Sequence, residues 1–397
     1  MLTRKLTAII TAAVLITLTI VVLRVIPNGP FSTAVNAVYR EAFPDDNFRA
    51  YVLSDVIGDG RGGDDVITAA DKDIMAALTS LDVSDIGIAD MTGLAYFTGL
   101  ITLECYYNQL TEIDVTNNPM LEDLDVSRNR LTALDITRNP ALKFLYCQVN
   151  QLTTLDMSGN PELTLLQCND NQLTELNVTE NPALTWLLCT NNQLTTLDVT
   201  QNPVLTLLEC SNNKLYELDV THSPTLASLE CSNNKLTELD VTRSPALTFL
   251  QCSNNRLTAL DVTHNPALTS LRFDNNRLTG IDITLNPELD SLWCHDNRLT
   301  ALDVTHNPKL ERLYCQDNQL TGLDVTQNPA LIVIWCYNNR LTTLDVTNNP
   351  ALAAIECYNN FMGNNPDISV PGWQNWFSVA GYSGSENFYY FPQLTVE

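Results

Sequence analysis

At 397 residues the chain exceeds what one ordinary hydrophobic core organises, so several domains or a repeat architecture must carry it. It holds 21 Lys and Arg against 46 Asp and Glu, a net charge of -25, and a field of that sign repels nucleic acid and anionic lipid headgroups. Eleven cysteines invite a disulfide framework, but an odd number cannot all pair within one chain.

After Arg4 and Lys5 the chain runs uncharged for 18 residues, Leu6 to Leu23, before Arg24 and the turn-forming Pro27-Asn28-Gly29-Pro30. About 18 to 20 apolar residues can span a bilayer, whereas the apolar region of a cleaved signal peptide is about 7 to 15. Residues 1–26 are therefore expected to be an N-terminal membrane anchor, with a cleaved signal peptide as the alternative. The positive-inside rule places the acidic bulk outside the membrane, at the cell surface or, if cleaved, secreted.

Residues 27–78 are expected to hold a linker and a cap. Within them Asp55-Val-Ile-Gly-Asp59-Gly60, followed by Ile67-Thr68 and Asp71, is a damaged copy of a calcium loop. Ile57 stands where an oxygen ligand belongs, and Arg61-Gly-Gly-Asp-Asp65 interrupts the loop. Asp55, Asp59 and Asp71 are thus weak calcium candidates, and a polar loop between two helices is the favoured alternative.

From Leu103 onward the chain matches itself at a period of 21, as in Leu229-Glu-Cys231-Ser-Asn-Asn234-Lys-Leu236-Thr-Glu-Leu239-Asp240-Val-Thr242-Arg-Ser-Pro245-Ala-Leu247, repeated thirteen times. Residues 81–88 look like a degenerate first rung, so the repeats are assigned to 79–362. The frame Leu-x-x-Leu-x-Cys-x-x-Asn-x-Leu is the leucine-rich-repeat pattern with cysteine in one leucine slot. It predicts a solenoid of short parallel strands stacked about 4.8 Å apart into a slim coil. The asparagine three after each cysteine slot, from Asn108 to Asn360, is expected to satisfy turn backbone that would otherwise be buried unpaired. Leu-Asp-Val-Thr is expected to form the opposite wall, and the following Asn-Pro or Ser-Pro to turn the chain back.

The repeats resemble those of the internalin type of bacterial leucine-rich-repeat protein, in the variant that carries a cysteine ladder. That resemblance covers Leu81 to about Met362, and the stretch from Phe43 to Val52 looks like the helical cap such proteins place before the first rung. It implies surface adhesion or recognition through the strand face. The chain departs from the family in having no Leu-Pro-x-Thr-Gly sorting motif, which throws weight onto the N-terminal segment as the tether.

Cysteines on neighbouring rungs would lie close enough to bridge. Yet Val126 and Phe273 occupy the same slot without breaking the period, so buried thiols acting as small hydrophobes are expected, with disulfides and metal binding as lesser alternatives. The Asp of Leu-Asp-Val-Thr recurs in eleven rungs, with Asn177 once. Hydrogen bonds from turn amides and hydroxyls explain that column better than calcium does, because Asn177 keeps the frame. His222, His264 and His306 lie two rungs apart, roughly 10 Å, and cannot share a metal. No Gly-x-Ser-x-Gly motif, His-Glu-x-x-His motif or phosphate-cradling loop appears, so no enzyme and no cofactor are expected.

Positions that vary while the frame stays constant are free for recognition, and on the strand they alternate outward from Leu and Cys. They give an earlier patch with Phe144, Tyr146, Leu165, Trp186, Leu188, Leu207 and Phe249, and a later one with Arg272, Trp293, His295, Arg312, Tyr314, Trp335, Tyr337 and Tyr358. Glu104, Asp125, Glu209 and Glu230 lie before and between them. Aromatic and Arg side chains on an exposed sheet suit an interface, with a protein as the expected partner. A glycan, or cross-strand stacking in a passive spacer, are the alternatives. Residues 363–397, rich in aromatics such as Trp373, Trp376 and Tyr390, are expected to cap the open end.

Overall fold

The computed structural model of the protein describes residues 37–58 and 60–361, with the backbone of Phe388–Tyr389. The expected anchor and all but that two-residue strand of the expected C-terminal cap lie outside these residues.

Three-residue strands run from β1 (Ser80–Asp82) and β2 (Thr102–Glu104) through one every 21 residues to β14 (Ala354–Glu356). They pair in parallel and in chain order, and β15 (Phe388–Tyr389) continues the sheet beside β14. Register follows the repeat, so Leu229 lies opposite Leu208 on one side and Leu250 on the other. These central leucines are fully buried, as are the cysteines that follow them up to Cys336. A side-chain period of two accounts for this, since the residues flanking each central leucine must then face outward. Among the described residues no helix lies between β2 and β14, which makes the coil as slim as the short repeat requires.

A turn after each strand closes the coil, and a buried asparagine amide bonds backbone groups inside it. Asn234 donates through Nδ2 to the carbonyls of Cys210 (3.0 Å), Cys231 (3.1 Å) and Ser232 (3.2 Å). Its Oδ1 accepts the Leu215 N–H at 3.0 Å. Each asparagine of this series thereby ties its own rung to the one before. The residue preceding it sits in the left-handed region at φ 53 to 57° from Tyr107 to Asn359, which explains the prevalence of Asn and Asp there.

The opposite wall is extended and turns Leu239 and Val241 inward, yet it forms only one isolated bridge among the described residues, between Asp135 and Asp156. A second asparagine series knits it instead. Asn139 Nδ2 donates to the carbonyls of Val115 (3.0 Å) and Asn118 (2.8 Å), and the pattern recurs up to Asn349, with Ser223 and Ser244 as the exceptions.

The N-terminal end is closed by α1 (Tyr39–Ala42), α2 (Asp46–Tyr51), which runs on as a π-helical turn to Ile57, and α3 (Ala69–Ala77). Phe43, Phe48 and Phe97 bury their rings together between cap and first rung. Gly93, at φ 104°, is required there, because a Cβ would stand 2.4 Å from the Phe43 ring. Asp45 caps α2 and also accepts the Ala89 N–H at 2.8 Å, fastening the cap to the solenoid.

Candidate interaction surface

The strand face presents three parallel rows, two from the outward residues of each strand and one from the residue after the cysteine slot. Phe144, Trp186, Phe249 and Arg312 fall in the first row, Tyr146, Arg272, Trp293, Tyr314 and Trp335 in the second, and His295, Tyr337 and Tyr358 in the third. Parallel pairing in constant register brings equal positions of successive rungs side by side.

In the later patch this produces a continuous stack. The Arg272 guanidinium lies 4.7 Å from the Trp293 ring centre and 5.9 Å from that of Phe249. Trp293 and Tyr314 are 4.3 Å apart, and Tyr314 meets Trp335 edge-on at 4.9 Å. Tyr337 and Tyr358 stack flat at 4.5 Å with 4° between their planes. Arg312 stands outside the stack and pairs with Glu311 at 3.5 Å. Arg272 forms no ion pair among the described residues, and its Nε is buried without a hydrogen-bond partner. Ring contact and cation–π attraction therefore hold it in place.

One residue of this patch escaped the sequence. Asp274 is buried beside His295, accepts the Ser253 hydroxyl at 2.5 Å, and lies 3.7 Å from His295 Nε2, while His295 Nδ1 is 2.8 Å from Asp296. Its signal was present: Ser253, Asp274 and His295 are successive members of the third row.

The earlier patch is built differently. Phe144, Leu165, Trp186 and Leu207 are consecutive along the first row, and Trp186 is 48% exposed. Acidic side chains bound it on both sides, Glu104, Asp123 and Asp125 before it and Glu209 and Glu230 after it. Burial and then neighbouring carboxylates push the carboxyls of Glu104, Asp123 and Glu209 above the usual range.

The cysteines are free and buried, and burial first of all pushes the Cys147, Cys231 and Cys357 thiols up to about 12. They are packing groups rather than nucleophiles. The repeated aspartates behave as the Asn177 substitution implied. Asp240 Oδ1 accepts the Thr242 hydroxyl at 2.7 Å and its N–H at 2.9 Å, and these bonds hold its carboxyl below the usual range. Asn177 makes the same two contacts with Thr179.

The calcium candidates are dispersed among structural duties. Asp71 completes a capping box with Thr68 and pairs with Arg61 at 2.8 Å; burial opposes its ionisation, but the Thr68 bonds, Tyr39 and Arg61 outweigh it. Asp55 accepts the Ser54 hydroxyl in the π-helical turn, and Asp59 lies outside the described residues. No group of three His, Cys, Asp or Glu placed to hold a metal occurs among the described residues.

A leucine-rich-repeat family model matches residues 117–135. Internalin J of Listeria monocytogenes serotype 4b is 39% identical over 80 residues, a match covering 20% of this chain and only 8% of that protein. The solved functional domain of InlJ from Listeria monocytogenes, described as including a cysteine ladder, is 39% identical with a TM-score of 0.76 over 82% of this chain and 71% of that one. The internalin InlF of the same species, at 20% identity, TM-score 0.65, and coverage of 84% and 95%, shares the fold. With its 21-residue period, inward cysteines and helical N-terminal cap, the chain belongs to the internalin family of leucine-rich-repeat proteins.

Proposed function

We propose that the protein is a recognition or adhesion protein of the cell surface that binds a macromolecule, and a protein in particular, through its strand face and without turnover. The observation that carries this is the later stack, in which Trp293, Tyr314 and Trp335 sit half-buried beside the unpaired guanidinium of Arg272. Preorganised Trp, Tyr and Arg are the residues that dominate protein interfaces. A glycan platform needs open ring faces, and here Arg272 and Tyr314 lie close against Trp293, whose Nε1–H donates to the Ser291 hydroxyl at 3.1 Å. Residues 1–26 would tether the chain as an anchor, or export it as a signal peptide. Among the described residues no helix is long and apolar enough to cross a membrane.

The test is a binding screen of the purified chain against surface-protein and glycan panels, comparing wild type with the Trp293→Ala, Tyr314→Ala, Trp335→Ala triple variant, with circular dichroism confirming both folds. A protein hit weakened about thirtyfold or more in the variant supports the assignment. A glycan hit would replace protein by glycan as the partner. Binding that is unchanged by the variant removes the later patch from the site, and a chain that binds nothing is a spacer.

A further inference from the structure

The two halves of the strand face differ in charge as well as in packing. In the earlier patch Phe144, Leu165, Trp186 and Leu207 form an unbroken apolar row, extended by Leu188 in the row beside it. Trp186 and Phe144 are 48% and 39% exposed, and neither is stacked on another ring or a cation among the described residues, unlike Trp293. An apolar strip of this kind on a protein with net charge -25 is a feature that solubility alone does not favour.

The strip's boundaries carry the second part of the case. Along the first row Asp123 lies next to Phe144, and along the second Asp125 lies next to Tyr146. At the far side Leu188 is followed by Glu209 and Glu230, directly opposite each other in adjacent strands. Like charges in that relation destabilise a sheet, and among the described residues no Lys or Arg forms an ion pair with these four carboxylates. Elsewhere the same fold does supply such partners, as where Lys143 meets Glu122 at 2.8 Å.

From this we infer that the earlier patch docks a cationic protein segment, with an apolar side chain against Trp186 and Lys or Arg at either end facing Asp123 and Asp125 on one side and Glu209 and Glu230 on the other. This inference rests on the proposed role of the strand face in recognition and specifies the chemistry of its partner. Four strand steps separate β3 (Asp123–Asp125) from β7 (Leu207–Glu209). At about 4.8 Å per step the two acidic borders are roughly 19 Å apart, the span of about six residues of extended chain. A partner segment lying along the solenoid axis would bring its charges to both borders at once and relieve the repulsion between Glu209 and Glu230. From Ser270 to Glu356 the outward strand residues of the later patch include two arginines, Arg272 and Arg312, and a single carboxylate, Glu356, so that patch has no paired acidic border.

The experiment titrates the full chain with the synthetic peptide Lys-Lys-Ser-Leu-Phe-Leu-Ser-Lys-Lys at low salt, following tryptophan fluorescence and calorimetry. Saturable binding is expected, and the peptide with Glu in place of every Lys should not bind. Glu209→Gln with Glu230→Gln should raise Kd about tenfold, and Trp186→Ala about thirtyfold, with folds checked by circular dichroism. Glu175→Gln with Glu238→Gln removes the same charge from exposed positions off the strand face and should leave Kd within about twofold. Equal weakening by the two glutamine pairs would reduce the effect to net charge and overturn the inference, as would a Trp186→Ala variant that binds normally or a wild type that shows no saturable binding. If the peptide fails while the surface-protein hit is still lost in the Trp293, Tyr314 and Trp335 variant, the cationic partner falls and the recognition role stands; if both fail, both fall.

Discussion

Replacing Asn234 by Ala isolates what the buried asparagine series contributes. The Cys210 carbonyl keeps the amide of Asn213 at 3.1 Å, and the Cys231 carbonyl keeps that of Asn255 at 3.0 Å, so each loses one of two donors. The Leu215 N–H, whose acceptor is Asn234 Oδ1 at 3.0 Å, is left buried with none. An orphaned buried amide costs about 1–3 kcal/mol and each weakened carbonyl about 0.5–1, giving a loss of about 3 kcal/mol. Rungs of a solenoid interact mainly with their neighbours, so the loss is read locally by amide hydrogen exchange at Leu215 and globally by urea unfolding. Protection at Leu215 should fall about a hundredfold. The matched control is Asn233→Gly, whose exposed side chain sits on a backbone at φ 55° that glycine accepts, and it should cost at most about 0.5 kcal/mol. An Asn234→Ala variant within 1 kcal/mol of that control, on the same scale of about 1–3 kcal/mol per orphaned amide, would refute the account.

Val149 is the one β-branched residue in the left-handed position of the thirteen rungs, at φ 57°, so Val149→Asn should stabilise the chain by about 1 kcal/mol in urea unfolding; a destabilised variant would show that no strain is held there. The thiols, buried and with Cys147 and Cys231 pushed up to about 12, should stay inert to a disulfide reagent at pH 7 and react only on unfolding, and a rapidly labelled thiol would contradict the buried ladder. Stability should respond to pH in two opposed windows. Because burial raises the carboxyls of Glu104, Asp123 and Glu209, the folded chain binds more protons than the unfolded one between the ordinary and the raised values, so stability falls as pH rises through that window. Asp240 and its equivalents are lowered by Thr hydroxyl and amide bonds, and their contribution is lost as pH falls from the ordinary carboxyl range through the lowered values. Tm should therefore be higher at about pH 5 than at pH 7 and drop below about pH 4; a steady rise from pH 5 to 7 would be inconsistent with strained face carboxylates.

The 21-residue period by itself determined the architecture, because a repeat that never slips can only stack identical rungs, and each rung's alternation dictates which side chains face in. Val126 and Phe273 revealed an apolar slot rather than a disulfide ladder, and Asn177 revealed a hydrogen-bonding column rather than a calcium column, since substitutions within one chain report what a position tolerates. The same comparison identified the outward rows. Only the tertiary structure decided how those rows are used. That Arg272 lies against Trp293 while Trp186 stands open depends on side-chain rotamers and contacts between rungs, which spacing does not encode. The asparagines before proline, from Asn118 to Asn349, read as turn formers in one dimension. They proved to bind carbonyls one rung back, at 2.8–3.1 Å, because only stacking brings residues 21 and 24 apart into reach. Asp71 stood as a weak calcium candidate by its place in a motif, whereas the cap sets Arg61 and Thr68 on its carboxylate, since a motif names donor atoms but the fold assigns their partners.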